Sequence, residues 1–205
     1  MLTIAIQAGG QSSRMGKDKA LVKLHGKPLI EHVLEKVHGL GDELLITTNS
    51  PEKLEYLGVR LERDRIPGAG ALHGLETALL SAEGEYVLLV ACDAPFVRRR
   101  LLEHLIDLRS HGDVIIPMKD GRYEPLQALY KRASCLPAVG QALLSGEKRM
   151  ISFFSSINVQ TVDAKTLARL DPAGISFFNI NTPADLVQAE EILRKLQNDK
   201  YNWSQ

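Results

Sequence analysis

Short apolar runs alternate with longer amphipathic ones along this chain, and that alternation constrains its fold most. Residues 2–8, 43–48 (ELLITT) and 86–91 (YVLLVA) read as strands. Residues 28–40 place Leu29, Ile30, Val33, Leu34 and Val37 on one helical face, with Pro28 at a first-turn position. Further helices are predicted over 71–82, 97–108, 135–144 and 183–196, with a short one from Pro51. Strands are predicted over 59–61, 113–118, 125–130 and 159–162. Strand–helix alternation of this kind predicts a three-layer α/β/α, Rossmann-like fold with a mostly parallel central sheet. Burial on both faces explains why the strands run apolar without alternating. No repeat or linker interrupts the pattern, so residues 1–197 are expected to form one domain, with the polar residues 198–205 fraying.

Composition narrows the function classes. The 205 residues carry 25 Lys and Arg against 25 Asp and Glu, and 44% are hydrophobic. Such a chain is neither disordered nor a general polyanion binder, so no nucleic-acid partner is expected. No run of 18 apolar residues exists, the N-terminus lacks a basic signal-peptide region, and the two cysteines make no disulfide framework. A soluble, cytoplasmic protein without a membrane partner is the expectation.

Ligands of open α/β sheets bind beyond the carboxyl ends of the strands. The segment after the first strand, AGGQSSRMGKDKALVKLHGK, combines glycines with cations. Arg14, Lys17, Lys19, Lys23 and Lys27 face only Asp18 between positions 14 and 27, a basic cluster inside a neutral chain. Glycines let backbone N–H groups approach phosphate, while Arg14 and Lys19 supply charge. The segment is not a Walker A loop: five residues separate Gly10 from Gly16, and Asp18 stands where a hydroxyl is needed. Read alone, it is equally compatible with a solvated loop.

Other residues carry similar double readings. Asp93, at the end of 86–91, suits a hard Mg²⁺ ligand but also a helix cap. Asn181 or Thr182 suits a cap for the last helix. Arg98, Arg99 and Arg100 read as a solvated helix start, although three cations there oppose the helix dipole.

The string QAGGQSSRMGKDKALVKLHGKPLIEHV resembles the N-terminal signature of the molybdenum cofactor guanylyltransferases, the MobA family. More broadly it is similar to the GT-A-like nucleotidyltransferases. ACDAPF around Asp93, the glycine-rich turn 68–74, EPLQALY at 124–130 and FNINTPADL at 178–186 resemble family segments in the expected order. The resemblance implies transfer of GMP from GTP to molybdopterin with Mg²⁺ as cofactor and pyrophosphate as product. It implies catalytic roles for Arg14, Lys19 and Asp93, with Asp93 holding the metal. Gln7, Ala8, Gly9, Gly10, Lys19, Asn49, Asp64 and Asp93 would bind the nucleotide. Asn179, Asn181, Lys148 and Arg149 would lie toward the acceptor substrate. Transient contact with cofactor-biosynthesis proteins or apo-molybdoenzymes fits that role. A CTP-dependent sister, a transferase with another phosphorylated acceptor, and a non-catalytic nucleotide- or cofactor-binding protein are the alternatives.

Overall fold

The computed structural model describes residues 1–9 and 18–202. In chain order the elements are β1 (Leu2–Gln7), β2 (Lys23–Leu24), β3 (Lys27–Pro28), α1 (Leu29–Val37), β4 (Glu43–Thr48), β5 (Arg60–Arg63), α2 (Ala71–Ser81) and β6 (Tyr86–Ala91). There follow α3 (Arg99–Asp107), β7 (Val114–Lys119), β8 (Arg122–Tyr123), β9 (Gln127–Lys131), α4 (Arg132–Leu144), β10 (Val159–Val162), α5 (Ala164–Leu170) and α6 (Pro183–Asn202).

The described residues form an eight-stranded sheet in the order β10-β7-β9-β6-β1-β4-β5, with β8 paired to β7. β1 pairs in parallel with β4 and β6, β4 with β5, and β10 with β7. β9 runs antiparallel between β6 and β7. Successive side chains point to opposite faces, so each strand feeds two cores. Ile4, Ile6, Ile46, Leu88 and Val90 meet α1, α3 and α5 on one face. Ala5, Leu45, Val87 and Leu89 meet α2 and α4 on the other. The result is the expected three-layer α/β arrangement. Leu88 is fully buried, and truncating such a residue to Ala costs about 2–5 kcal/mol.

A third, smaller core joins α6 to the β2–β3 ribbon. Val22, Leu24, Leu29, Phe96, Ile180 and Ala189 are buried there. This contact brings the start of α6 back to the carboxyl edge of β6, where the Ile180 N–H donates to the Asp93 carbonyl at 3.0 Å.

Several boundaries differ from the sequence reading. The strand expected over 125–130 occupies Gln127–Lys131, and α4 starts three residues before position 135, which places Pro137 inside the helix. The helix expected from Pro51 is two 3₁₀ turns, Pro51–Lys53 and Glu55–Leu57. α6 continues to Asn202, beyond the expected helix end at 196 and into the segment expected to fray. α5 was not anticipated, although Asp163 caps it by accepting from the Thr166 N–H.

The arginine triplet is used within the fold. Arg99 Nη1 donates to the His38 carbonyl at the end of α1 (2.6 Å), and Arg100 Nε to the Leu170 carbonyl at the end of α5 (2.8 Å). Arg98 Nε lies 3.5 Å from Asp171, just beyond α5. Cations there complement the negative ends of two neighbouring helices and satisfy carbonyls that have no intrahelical donor.

Candidate active site

β1, β4 and β6 end side by side, and the chemistry-bearing residues collect at that edge. β1 does not stop at Gln7. The Ala8 N–H donates to Thr47 O at 2.7 Å, and the Cys92 N–H donates to Gln7 O at 3.1 Å. Gly9 follows, and Asn49 Nδ2 donates to its carbonyl. A Cβ at Gly9 would stand 1.9 Å from Asp64 Oδ2, so any larger residue there would displace the Asp64 side chain. Asp64, the residue after β5, is tied down by its N–H to Thr48 O at 2.9 Å.

Lys19 enters from a 3₁₀ turn, Lys19–Leu21, capped by the Asp18 carboxylate accepting from the Ala20 N–H. Ala20 is fully buried and anchors the turn. Lys19 Nζ lies 3.1 Å from Asp93 Oδ2, and it also donates to Asn181 Oδ1. The side chains of Lys19 and Asp93 are 18% and 11% exposed, so the pair is largely withdrawn from water.

Asn181 is presented by the start of α6. Asp185 Oδ2 accepts from the N–H groups of both Asn181 and Thr182 at 2.8 Å, and the Asp185 N–H donates to Thr182 Oγ1 at 3.1 Å. This is a capping box with Asp in the acidic position. Thr182 is thus the cap, which leaves the Asn181 side chain to Lys19. The Asn181 backbone N–H donating to Asp185, helped by the Thr182 contacts and by Lys19, holds the Asp185 carboxyl below its usual value. Sequence reasoning passed over Asp185, yet its spacing from Thr182 was the available signal.

A pocket of about 360 Å³ opens at this edge, lined among others by Gln7, Gly9, Lys19, Asp64, Ala71 and Asp93. Burial raises the Asp64 carboxyl above its usual value. Burial likewise pushes the Cys92 thiol well up, so Cys92 behaves as a small apolar residue. A larger cleft, about 920 Å³, lies between α1, α3 and α6 and is lined by residues such as His32, Glu35, Arg99 and Leu193. None of the carboxylate–lysine site faces it, so its size does not make it the reactive centre.

The structure therefore brings together Gln7, Gly9, Lys19, Asp64 and Asp93, with Asn49 held on Gly9 and Asn181 on Lys19. Ala8 is buried beneath the site. Asn179 Oδ1 is buried without a partner among the described residues. Lys148 and Arg149 are exposed on the turn after α4 and do not line the pocket. Gly10 and Arg14 lie outside the described residues.

Comparison with known proteins identifies the family. The family model "MobA-like NTP transferase domain" matches residues 4–164. The "Probable molybdenum cofactor guanylyltransferase" of Natranaerobius thermophilus is 36% identical over 202 residues, covering 96% of this chain and 98% of that protein. The molybdenum cofactor guanylyltransferase of Desulfosudis oleivorans is 35% identical over 197 residues, covering 94% and 96%. The crystal structure of molybdopterin-guanine dinucleotide biosynthesis protein A from Archaeoglobus fulgidus superposes with a TM-score of 0.81 at 33% identity, covering 94% of this chain and 99% of that one. An N-terminal glycine-rich sequence, a carboxylate at the end of β6 and relatives matched over nearly their whole length converge on one conclusion: the chain belongs to the MobA-like NTP transferase family, among the molybdenum cofactor guanylyltransferases.

Proposed function

We propose that the protein transfers GMP from GTP to the terminal phosphate of molybdopterin, forming the guanine dinucleotide and releasing pyrophosphate. The observation that carries this reading is the meeting of Lys19, Asp93 and Asn181, from three distant parts of the chain, at the carboxyl edge of the sheet. The names of the relatives matched over nearly their whole length support it.

A phosphate oxygen of the acceptor attacks the α-phosphorus of GTP, and the bond to the bridging α–β oxygen breaks. The nucleophile is already anionic at neutral pH, so no strong general base is needed. Positioning and charge neutralisation supply most of the rate. Lys19 would neutralise charge that builds on the triphosphate. Arg14 has the same role by resemblance. Gly9, and Gly10 by resemblance, would let the backbone approach the nucleotide, and Gln7, Ala8, Asn49 and Asp64 would complete its site. Asn181 and Asn179, and by resemblance Lys148 and Arg149, would contact the acceptor.

Asp93 suits Mg²⁺. It is a hard oxygen donor at a strand end and lines the pocket beside a fixed lysine. Among the described residues no three His, Cys, Asp or Glu side chains form a metal-holding group. A cation held by Asp93 would therefore draw its remaining ligands from substrate phosphates and water, as magnesium does. Bound there, it would stabilise charge on the transferring phosphoryl group and the leaving pyrophosphate.

A cytoplasmic location belongs to the same reading. No described helix is long and apolar enough to cross a membrane. Contacts with cofactor-biosynthesis proteins or apo-molybdoenzymes would deliver and receive the cofactor.

The test is to incubate the protein with Mg²⁺, molybdopterin and each nucleoside triphosphate in turn, and to weigh the product. Guanine dinucleotide formed from GTP alone supports the proposal. Product from CTP would assign the protein to a cytidylyl transfer. Nucleotide binding without any product would make it a binding protein.

A further inference from the structure

Gln7 closes β1, and its side-chain amide is held in one orientation. Nε2 donates to the Ala71 carbonyl at 3.1 Å, so Oε1 is the amide atom without a hydrogen-bond role, on a side chain that lines the pocket. Oε1 is buried and has no partner among the described residues. Asp64, 7% exposed, lines the same pocket, and its Oδ1 also lacks a partner there. Buried acceptors without donors are costly, so two of them in one pocket suit a ligand that donates twice.

The pocket also offers donors. Gly70 and Ala71 line it at the start of α2, where first-turn amides have no intrahelical acceptor and Gly70 supplies no side-chain cap. Guanine matches this set. Its edge carries two donor positions, N1–H and the exocyclic amino group, next to the O6 acceptor. Cytosine and adenine each carry one amino donor beside unprotonated ring nitrogens. Against two fixed oxygens, either base would set acceptor against acceptor.

We propose that Gln7 is a specificity-determining residue that reads the exocyclic amino group of guanine, with Oε1 accepting one amino N–H while Asp64 takes N1–H. The inference rests on the reading of this pocket as a GTP site, but it assigns the discrimination to a side chain. Leucine or methionine at position 7 would fill similar space without an acceptor.

Inosine triphosphate differs from GTP only in lacking that amino group. Its equilibrium binding, compared with GTP by titration calorimetry, needs no acceptor substrate and no turnover. The wild-type protein should bind GTP about tenfold more tightly than inosine triphosphate, the scale of one buried hydrogen bond. Gln7→Met and Gln7→Leu should weaken GTP by about that factor and leave inosine triphosphate nearly unchanged, so the ratio collapses toward one. Equal wild-type affinity for the two nucleotides overturns the assignment without any variant. So does an equal loss for both nucleotides in variants that melt normally, or no loss for either. A protein that prefers GTP through Gln7 yet forms no dinucleotide would end the transfer reading and leave this one standing. A transferase whose nucleotide ratio ignores Gln7 would do the reverse.

Discussion

Lys19 Nζ sits 3.1 Å from Asp93 Oδ2 across a separation of 74 residues, and the same ammonium group is held by Asn181. The pair joins the glycine-loop side of the site to the end of β6, in surroundings that keep most water out. Asp93→Asn preserves shape and removes charge. It should lower turnover by about two to three orders of magnitude, the scale for losing one preorganised charged group, with circular dichroism unchanged. Lys19→Met should act similarly. If both groups serve one phosphoryl centre, as proposed, the double variant should lose far less than the product of the single losses. Multiplicative losses would mean that they act independently.

Gly74 tests how the pocket is shaped. A Cβ at this position would stand 2.1 Å from Gln7 Nε2, while the site lies within α2, where alanine is intrinsically favoured by about 1 kcal/mol. The obstruction is the far end of one side chain, which can swing away. Gly74→Ala should therefore leave the melting temperature level or slightly raised while weakening GTP binding, because Gln7 loses its place. A large drop in melting temperature would show that the contact is structural.

Asp64 predicts a pH dependence. Its folded value is raised above the ordinary 3.8 by burial. A carboxyl shifted this way stabilises the fold only when protonated. Its contribution is complete below the unfolded value and is lost as pH rises through the folded one. Asp64→Asn should thus raise the melting temperature of the nucleotide-free protein at neutral pH, and the gain should vanish as pH falls below about 4. The same variant should bind GTP more weakly. Denaturation curves across pH, paired with nucleotide titrations, check both halves.

Asp185 shows the opposite sign. Hydrogen bonds from the Asn181 and Thr182 backbone hold its carboxyl below the usual value. Its stabilisation is present above the unfolded Asp value and is lost as pH falls through the depressed folded value. Asp185→Ala should cost about 1 kcal/mol through loss of the capping box. It should also raise KM for the acceptor, since the turn that presents Asn181 is loosened. Unchanged acceptor KM would separate the cap from the site.

Much of this architecture is legible along the chain because strands buried on both faces must be apolar throughout, as in β1 and β6. β9 was expected as a strand, but its reversed direction was not expected. An apolar run such as QALY carries no sign of its direction, which only its neighbours set. The two-residue strands β2, β3 and β8 are too short to carry a period. Lys19 and Asp93 were legible as a pattern of glycines, cations and a strand-end carboxylate. The Asn181–Lys19 contact was not, because it depends on α6 packing on the β2–β3 ribbon. The arginine triplet reads along the chain as a solvated helix start, although it opposes its own helix dipole. Its partners are carbonyls at the ends of α1 and α5 and the Asp171 carboxylate, a tertiary arrangement that spacing alone does not reveal.

The central claim is that the α-phosphoryl group of GTP moves. It is tested most directly by giving the protein molybdopterin and Mg²⁺ with GTP labelled at either the α- or the γ-phosphorus. The account predicts the α label in the pterin dinucleotide and the γ label in pyrophosphate, with both slowed by about two to three orders of magnitude in Asp93→Asn. A γ label on the pterin, or an α label that stays in free nucleotide, would contradict it.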